Sequence, residues 1–111
     1  MVVGGDEFVV QRIEELLEAP ASGASAPTLA RLEKTLTDGY AEALALEAER
    51  SRIERRIGEV ARTVVEPVAT HVTDEIVALG RRLTHADVEL GRLRTVLMRL
   101  QARTRALRHA G

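Results

Sequence analysis

Three groups of residues in this 111-residue chain carry side chains suited to chemistry. The first surrounds Arg50, a charge set in an otherwise apolar row. Glu47 and Glu54 lie one helical turn to either side of it, and Asp87 and Glu89 come from further along. Carboxylates gathered in this way can hold a divalent cation, but bundles that do so pair them with a Glu-x-x-His motif. The chain has no such motif. Arg50 is therefore expected to be structural, its stem packed on Ala86 and its head paired by these acids. The second group is His71, His85 and His109, expected in a turn, beside the apolar row and near the C-terminus. Straight helices do not gather a Ser or His with an acid into a triad, and Gly4-Gly5 precedes no strand that could make a phosphate loop. The third group is Arg92, Arg94, Arg99, Arg103, Arg105 and Arg108, six arginines in a stretch from Arg92 to His109 without one acid. Such a stretch suits an anion: an acidic protein surface, a nucleotide phosphate or nucleic acid. The favoured reading is a cationic helix end paired with Glu33, Asp38 and Glu42 of a neighbouring helix, which also brings Arg31 and Lys34.

Composition narrows these options. Sixteen Lys and Arg against seventeen Asp and Glu leave a net charge of −1, so total charge favours neither nucleic acid nor membrane. Aromatic residues are 2% of the chain, Phe8 and Tyr40, which leaves nothing to stack bases or wall a deep cavity. The absence of cysteine removes disulfides, thiolate metal sites and cysteine nucleophiles. No apolar run approaches the ~18 residues of a membrane span, and Met1–Asp6 lacks a basic signal-peptide start. The expectation is a soluble cytoplasmic protein with no catalytic residue, no cofactor and no metal. Nucleic acid is not an expected partner.

The elements that must position these groups follow from periodicity. Residues 1–19 form an arm whose short helix places Val9, Ile13, Leu16 and Leu17 on one face. At under ~15 residues such a helix orders only by docking. Residues 20–27, Pro-Ala-Ser-Gly-Ala-Ser-Ala-Pro, read as a linker. From residue 28 to 111, apolar residues alternate three and four apart. One series runs from Leu29 through Leu36, Leu46, Ile53 and Ile57 to Val64. The other runs from Val72 through Leu79, Leu83, Leu90, Leu93 and Leu97 to Leu107. Each is about five heptads of an a/d seam. The phase breaks near Pro67, so the fold class is all-α: an antiparallel coiled-coil hairpin with its turn at about 65–71. Ser25 and Pro27 mark the first helix start, and Thr70 or Thr73 the second. Aligning Val64 with Val72 pairs Ile57 with Leu79, Ile53 with Leu83, Arg50 with Ala86, Leu46 with Leu90 and Gly39 with Leu97. Each large residue meets a smaller or matching one.

A two-helix hairpin buries one stripe per helix and rarely holds alone. Apolar residues off the seam, among them Tyr40, Leu44, Val65, Val77, Val88, Val96 and Met98, point to a further surface. At equal heights Glu47 meets Asp87, Glu49 meets Glu89 and Arg56 meets Arg82, like charges that a partner would relieve. The expected state is a homodimer forming a four-helix bundle, with the N-terminal helix capping it or swapping to a neighbour. Interaction is expected through Tyr40, Leu44, Arg50, Val96, Arg92, Arg94, Arg99 and Arg103. The expected function is a non-enzymatic protein–protein interaction or oligomerisation module whose partner the sequence does not name.

A ladder of residues adds an alternative. Glu47 and Ser51 on the first helix, with Asp87 and Arg94 on the second, resemble the ladder of Glu, Ser, Arg, Gln and Asp carried by the helical-hairpin anti-sigma factors of actinobacteria. The likeness spans residues 28–108 in architecture, and a composition rich in Ala, Arg and Leu fits a high-GC source. It implies a transcription regulator that sequesters a sigma factor under control of cyclic di-GMP. In this chain Glu54, Gly58 and Arg62 replace the rest of the first ladder, and Met98 and Ala102 replace the end of the second. The implied regulator has therefore lost nucleotide control.

Overall fold

A computed structural model describes residues 5–63 and 70–110. Its elements are all helical: α1 Gly5–Glu18, α2 Leu29–Thr63 and α3 Thr70–Ala110. The expected turn at 65–71 and the Val64–Val72 layer fall largely outside the described residues. His71, expected in the turn, is an exposed residue of α3. The start of α2 is set by Thr28 rather than Ser25. Its hydroxyl accepts the Arg31 amide at 3.1 Å and its carbonyl the Leu32 amide at 3.0 Å, satisfying donors that a helix start leaves open. Gly23, at φ 94°, supplies the left-handed residue that turns the chain between α1 and α2.

The molecule is elongated, 67 × 27 × 16 Å. Across α2 and α3, Glu33 pairs with Arg108, Glu47 with Arg94, Glu49 with Arg82 and Arg56 with Glu75. Partner numbers fall on α3 as they rise on α2, so the two helices run in opposite directions. These pairs also correct the expected like-charge flanks. Each acid or base pairs with the next residue at the same heptad position, one repeat along. Opposite charge stands there, within reach of a long arginine side chain.

Two apolar cores lie along the axis. The larger gathers Val9, Val10, Ile13 and Leu16 of α1 with Leu32, Leu36 and Ala43 of α2 and Leu90, Leu93, Val96, Leu97 and Leu100 of α3. The smaller joins Ile53 and Val60 to Leu79, with Ile57, Ile76 and Leu83 half-buried around them, and has no α1 contribution. The N-terminal helix thus docks on its own chain and thickens one half of the molecule to three helices. Buried hydroxyls do not disturb the core. Thr104 donates to the Leu100 carbonyl at 2.7 Å and Thr35 to the Arg31 carbonyl at 2.9 Å.

Candidate protein-docking face

Taking Leu29 as position a of α2 and Ile76 as position a of α3, positions e and g flank the apolar row on opposite sides. α1 lies on the g side, where Thr35, Val96 and Arg103 stand. Val96 is only 8% exposed, packed in the core that α1 completes. The expectation that Val96 is an outward flank for a partner is therefore wrong, because its own N-terminal helix covers it.

The opposite side is built from positions e and b. On it stand Tyr40, Leu44, Val77 and Met98, all exposed, Leu44 at 67% and Met98 at 71%. Tyr40, Leu44 and Met98 edge an apolar groove of about 490 Å³, floored by Ala43 and Leu97 and closed at one end by Glu47 and Arg94. Arg94 donates to Glu47 at 2.6 Å across the groove. Charge on this face is sorted by helix. Its α2 row carries Glu33, Glu47 and Glu54, whereas its α3 row carries Arg94, Arg105 and Arg108 with one acid, Asp87. Glycines 58, 80 and 91 also sit at e or b positions. A Cβ at Gly80 or Gly91 would meet nothing within 4 Å, and one at Gly58 only Arg62 Nη1 at 3.8 Å.

Arg50 stands between the two cores, and Ala86, its expected partner on α3, is buried. Its guanidinium lies 3.0 Å from both Glu54 and Asp87, while Glu47 and Glu89 are engaged elsewhere. The pairing lies at the surface, with the Arg50 side chain 43% exposed and both acids exposed. No group of three or more His, Asp and Glu suited to a metal occurs among the described residues. His85 is exposed beside Arg81 and Arg82, and His109 is exposed near the end of α3.

The arginine stretch does not form one anion patch. Arg92 reaches Glu89 at 3.3 Å and Glu14 of α1 at 4.0 Å, Arg94 is held by Glu47, and Arg108 lies 3.2 Å from Glu33. Arg103 donates to four backbone carbonyls at the end of α1: Leu16 at 2.6 Å, Leu17 at 3.0 Å, Ala19 at 2.8 Å and Pro20 at 2.7 Å. It supplies the donors that the last turn of a helix lacks. Among the six, Arg99 and Arg105 form no ion pair with a described residue and lie exposed.

The groove between α1 and α2, about 570 Å³, is mixed in charge. Arg12 spans it, 3.0 Å from Asp38 and 5.5 Å above the Phe8 ring. The Arg12 hydrogen bond, then Lys34, holds the Asp38 carboxyl below its ordinary value. Hydrogen bonds from Arg52 and Arg82 do the same for Glu49. Glu89, by contrast, is buried at 8% exposure, and one of its oxygens lacks a hydrogen-bond partner among the described residues. No helix of the described residues is long and apolar enough to cross a membrane. No protein-family model, curated protein or solved structure matches the chain.

Proposed function

We propose that the chain is a non-enzymatic interaction module of the cytoplasm. In this reading α2 and α3 work as a coiled-coil hairpin, α1 braces one half of it, and the e/b face self-associates into a homodimer with a four-helix centre. One observation carries the reading: the apolar groove between Tyr40, Leu44 and Met98 lies on the side that α1 leaves open. Large apolar side chains clustered along a groove cost little only when something removes them from water. A helical partner fits a trough between two helices by laying its own apolar stripe in it. Light scattering at micromolar concentration should return about twice the 12.2 kDa chain mass. Leu44→Glu with Met98→Glu should return the single mass while far-UV circular dichroism stays unchanged. A wild-type chain that scatters as a monomer defeats self-association.

A second reading keeps the same face and changes the partner to a sigma factor. It is favoured by the grouping of Glu47, Ser51, Asp87 and Arg94, the residues that resemble the anti-sigma ladder, on the e side and its b margin. Cyclic di-GMP is not its switch, because Glu47 occupies the Arg94 guanidinium that a phosphate would need. Glu54 adds a carboxylate where the ladder has an arginine. Calorimetry with cyclic di-GMP should show no binding. A micromolar constant abolished by Arg94→Ala would move the regulator to first place.

A further inference from the structure

We infer that two copies pack their e/b faces about a two-fold axis parallel to the long axis of the molecule, α2 of each against α3 of the other. This rests on the self-association proposed above and adds the symmetry and the residues that meet. A two-fold interface uses one patch twice, so the patch must complement itself. An axis along the helices exchanges the positions of α2 and α3 and keeps every height. An axis across the helices instead lays α2 on α2 and α3 on α3.

Charge does not separate the two. With heights kept, Glu47 of one copy comes nearly level with Asp87 of the other, and each is already paired within its own chain, to Arg94 and to Arg50. Shape separates them. A Cβ at Gly39 would press on Leu97, so these two residues stand at one height. Counting up α2 and down α3 from them brings Leu44 level with Arg92, next to Gly91, and Gly58 level with Ala78, next to Val77. With heights kept, Leu44 of each copy faces Gly91 of the other, and Val77 faces Gly58. Two of the exposed apolar side chains thus meet two of the three glycines on this face, where the helix leaves room. Tyr40 falls level with Val96 and meets Met98 of the second copy. Glycine inside a helix weakens it, and neither Gly58 nor Gly91 is required by packing within the chain. Close approach of a second copy accounts for both. A stable interface buries roughly 800 Å² per partner. Along a molecule 67 Å long, a strip one helix wide, about 12 Å, already supplies that area.

The chain has no cysteine, so engineered thiols report the arrangement directly. Leu44→Cys and Gly91→Cys chains, made separately, are refolded together and oxidised. A covalent dimer joining position 44 to position 91 should form in the mixture and in neither variant alone. Bonds joining 44 to 44 or 91 to 91 would assign the crosswise axis and overturn the inference. A wild-type dimer with no bond at either position would overturn it while leaving self-association intact, whereas a monomeric wild type would remove both. Gly91→Leu gives a second test, because the isolated chain has room for that side chain. Dimerisation should weaken at least tenfold with helicity unchanged, and a dimer of wild-type strength would count against the proposed contact.

Discussion

Leu97 of α3 occupies the space that Gly39 of α2 leaves empty. A Cβ at Gly39 would lie 2.5 Å from Leu97 Cδ2 and 3.3 Å from Ile13 Cδ1 of α1. One missing side chain thus lets three helices converge. Gly39→Val gains some helix propensity but forces Leu97 and Ile13 from a packed core. Overpacking of this kind costs about 1–3 kcal/mol. The urea midpoint should fall accordingly, and α1 amides should lose protection before those of α2. An unchanged midpoint would mean that the three helices do not converge there.

Arg103 ties the end of α1 to α3. Its two terminal nitrogens serve four carbonyls, and hydrogen bonds to a charged group contribute about 1.5–3 kcal/mol in favourable settings. Arg103→Met keeps the stem and removes the donors. α1 should then exchange its amides almost as an open chain while the α2–α3 pair keeps its protection. Lysine should rescue only part of the loss, since a single ammonium cannot reproduce the planar fork. Equal exchange in wild type and Arg103→Met would show that apolar burial alone docks α1.

The long helices and the apolar rows were readable because period and residue size are local properties of a chain. Gly39 and Leu97 came out as neighbours for the same reason. What a third helix does was not readable. Val96 at position g and Leu44 at position b look alike in sequence, and only the docking of α1 buries one and leaves the other open. Arg103 looked like part of a cationic patch because its partners are backbone carbonyls, which no residue type announces. Flank charges misled for a different reason. Height alone sets Glu49 against Glu89, yet Glu49 lies 2.7 Å from Arg82, one heptad further on. The e/b face was within reach of the sequence, since heptad letters alone place Tyr40, Leu44, Gly58, Val77, Gly91 and Met98 together.

Leu90 and Ile53 are both 2% exposed, but they belong to unequal cores. Leu90 sits in the three-helix half and Ile53 in the half that α1 does not reach. Truncating a buried Leu or Ile to Ala costs roughly 2–5 kcal/mol, more where the surroundings cannot collapse into the void. Leu90→Ala should therefore fall in the upper part of that range. Ile53→Ala should fall in the lower part, because two helices can close on a gap that three cannot. Hydrogen exchange should rank the halves alike, with residues 50–63 and 72–86 opening first. Equal costs would argue against a division of the molecule into two cores.

Acid should loosen the molecule at two identified places. The Asp38 carboxyl is held below its ordinary value, first by the hydrogen bond from Arg12, and Glu49 by those from Arg52 and Arg82. A carboxylate whose folded value is depressed contributes stability that is complete above its unfolded value, near pH 4, and is lost as pH falls through the folded value. Both groups lie at the surface, where solvent and salt weaken each pair, so the effects are modest. They are separable by position. Asp38 clamps α1 through Arg12, whereas Glu49 joins α2 to α3 through Arg82. Lowering the pH from 6 to 3 should reduce the protection factors of the α1 amides, that is, their exchange relative to the intrinsic rate at each pH. Asp38→Asn should show faster α1 exchange already at pH 6 and a smaller further change on acidification. Arg82→Gln should leave the α1 response intact, because it touches only the other pair. If the α1 protection factors in the wild type were the same at pH 6 and pH 3, the Arg12–Asp38 clamp would have no part in holding that helix.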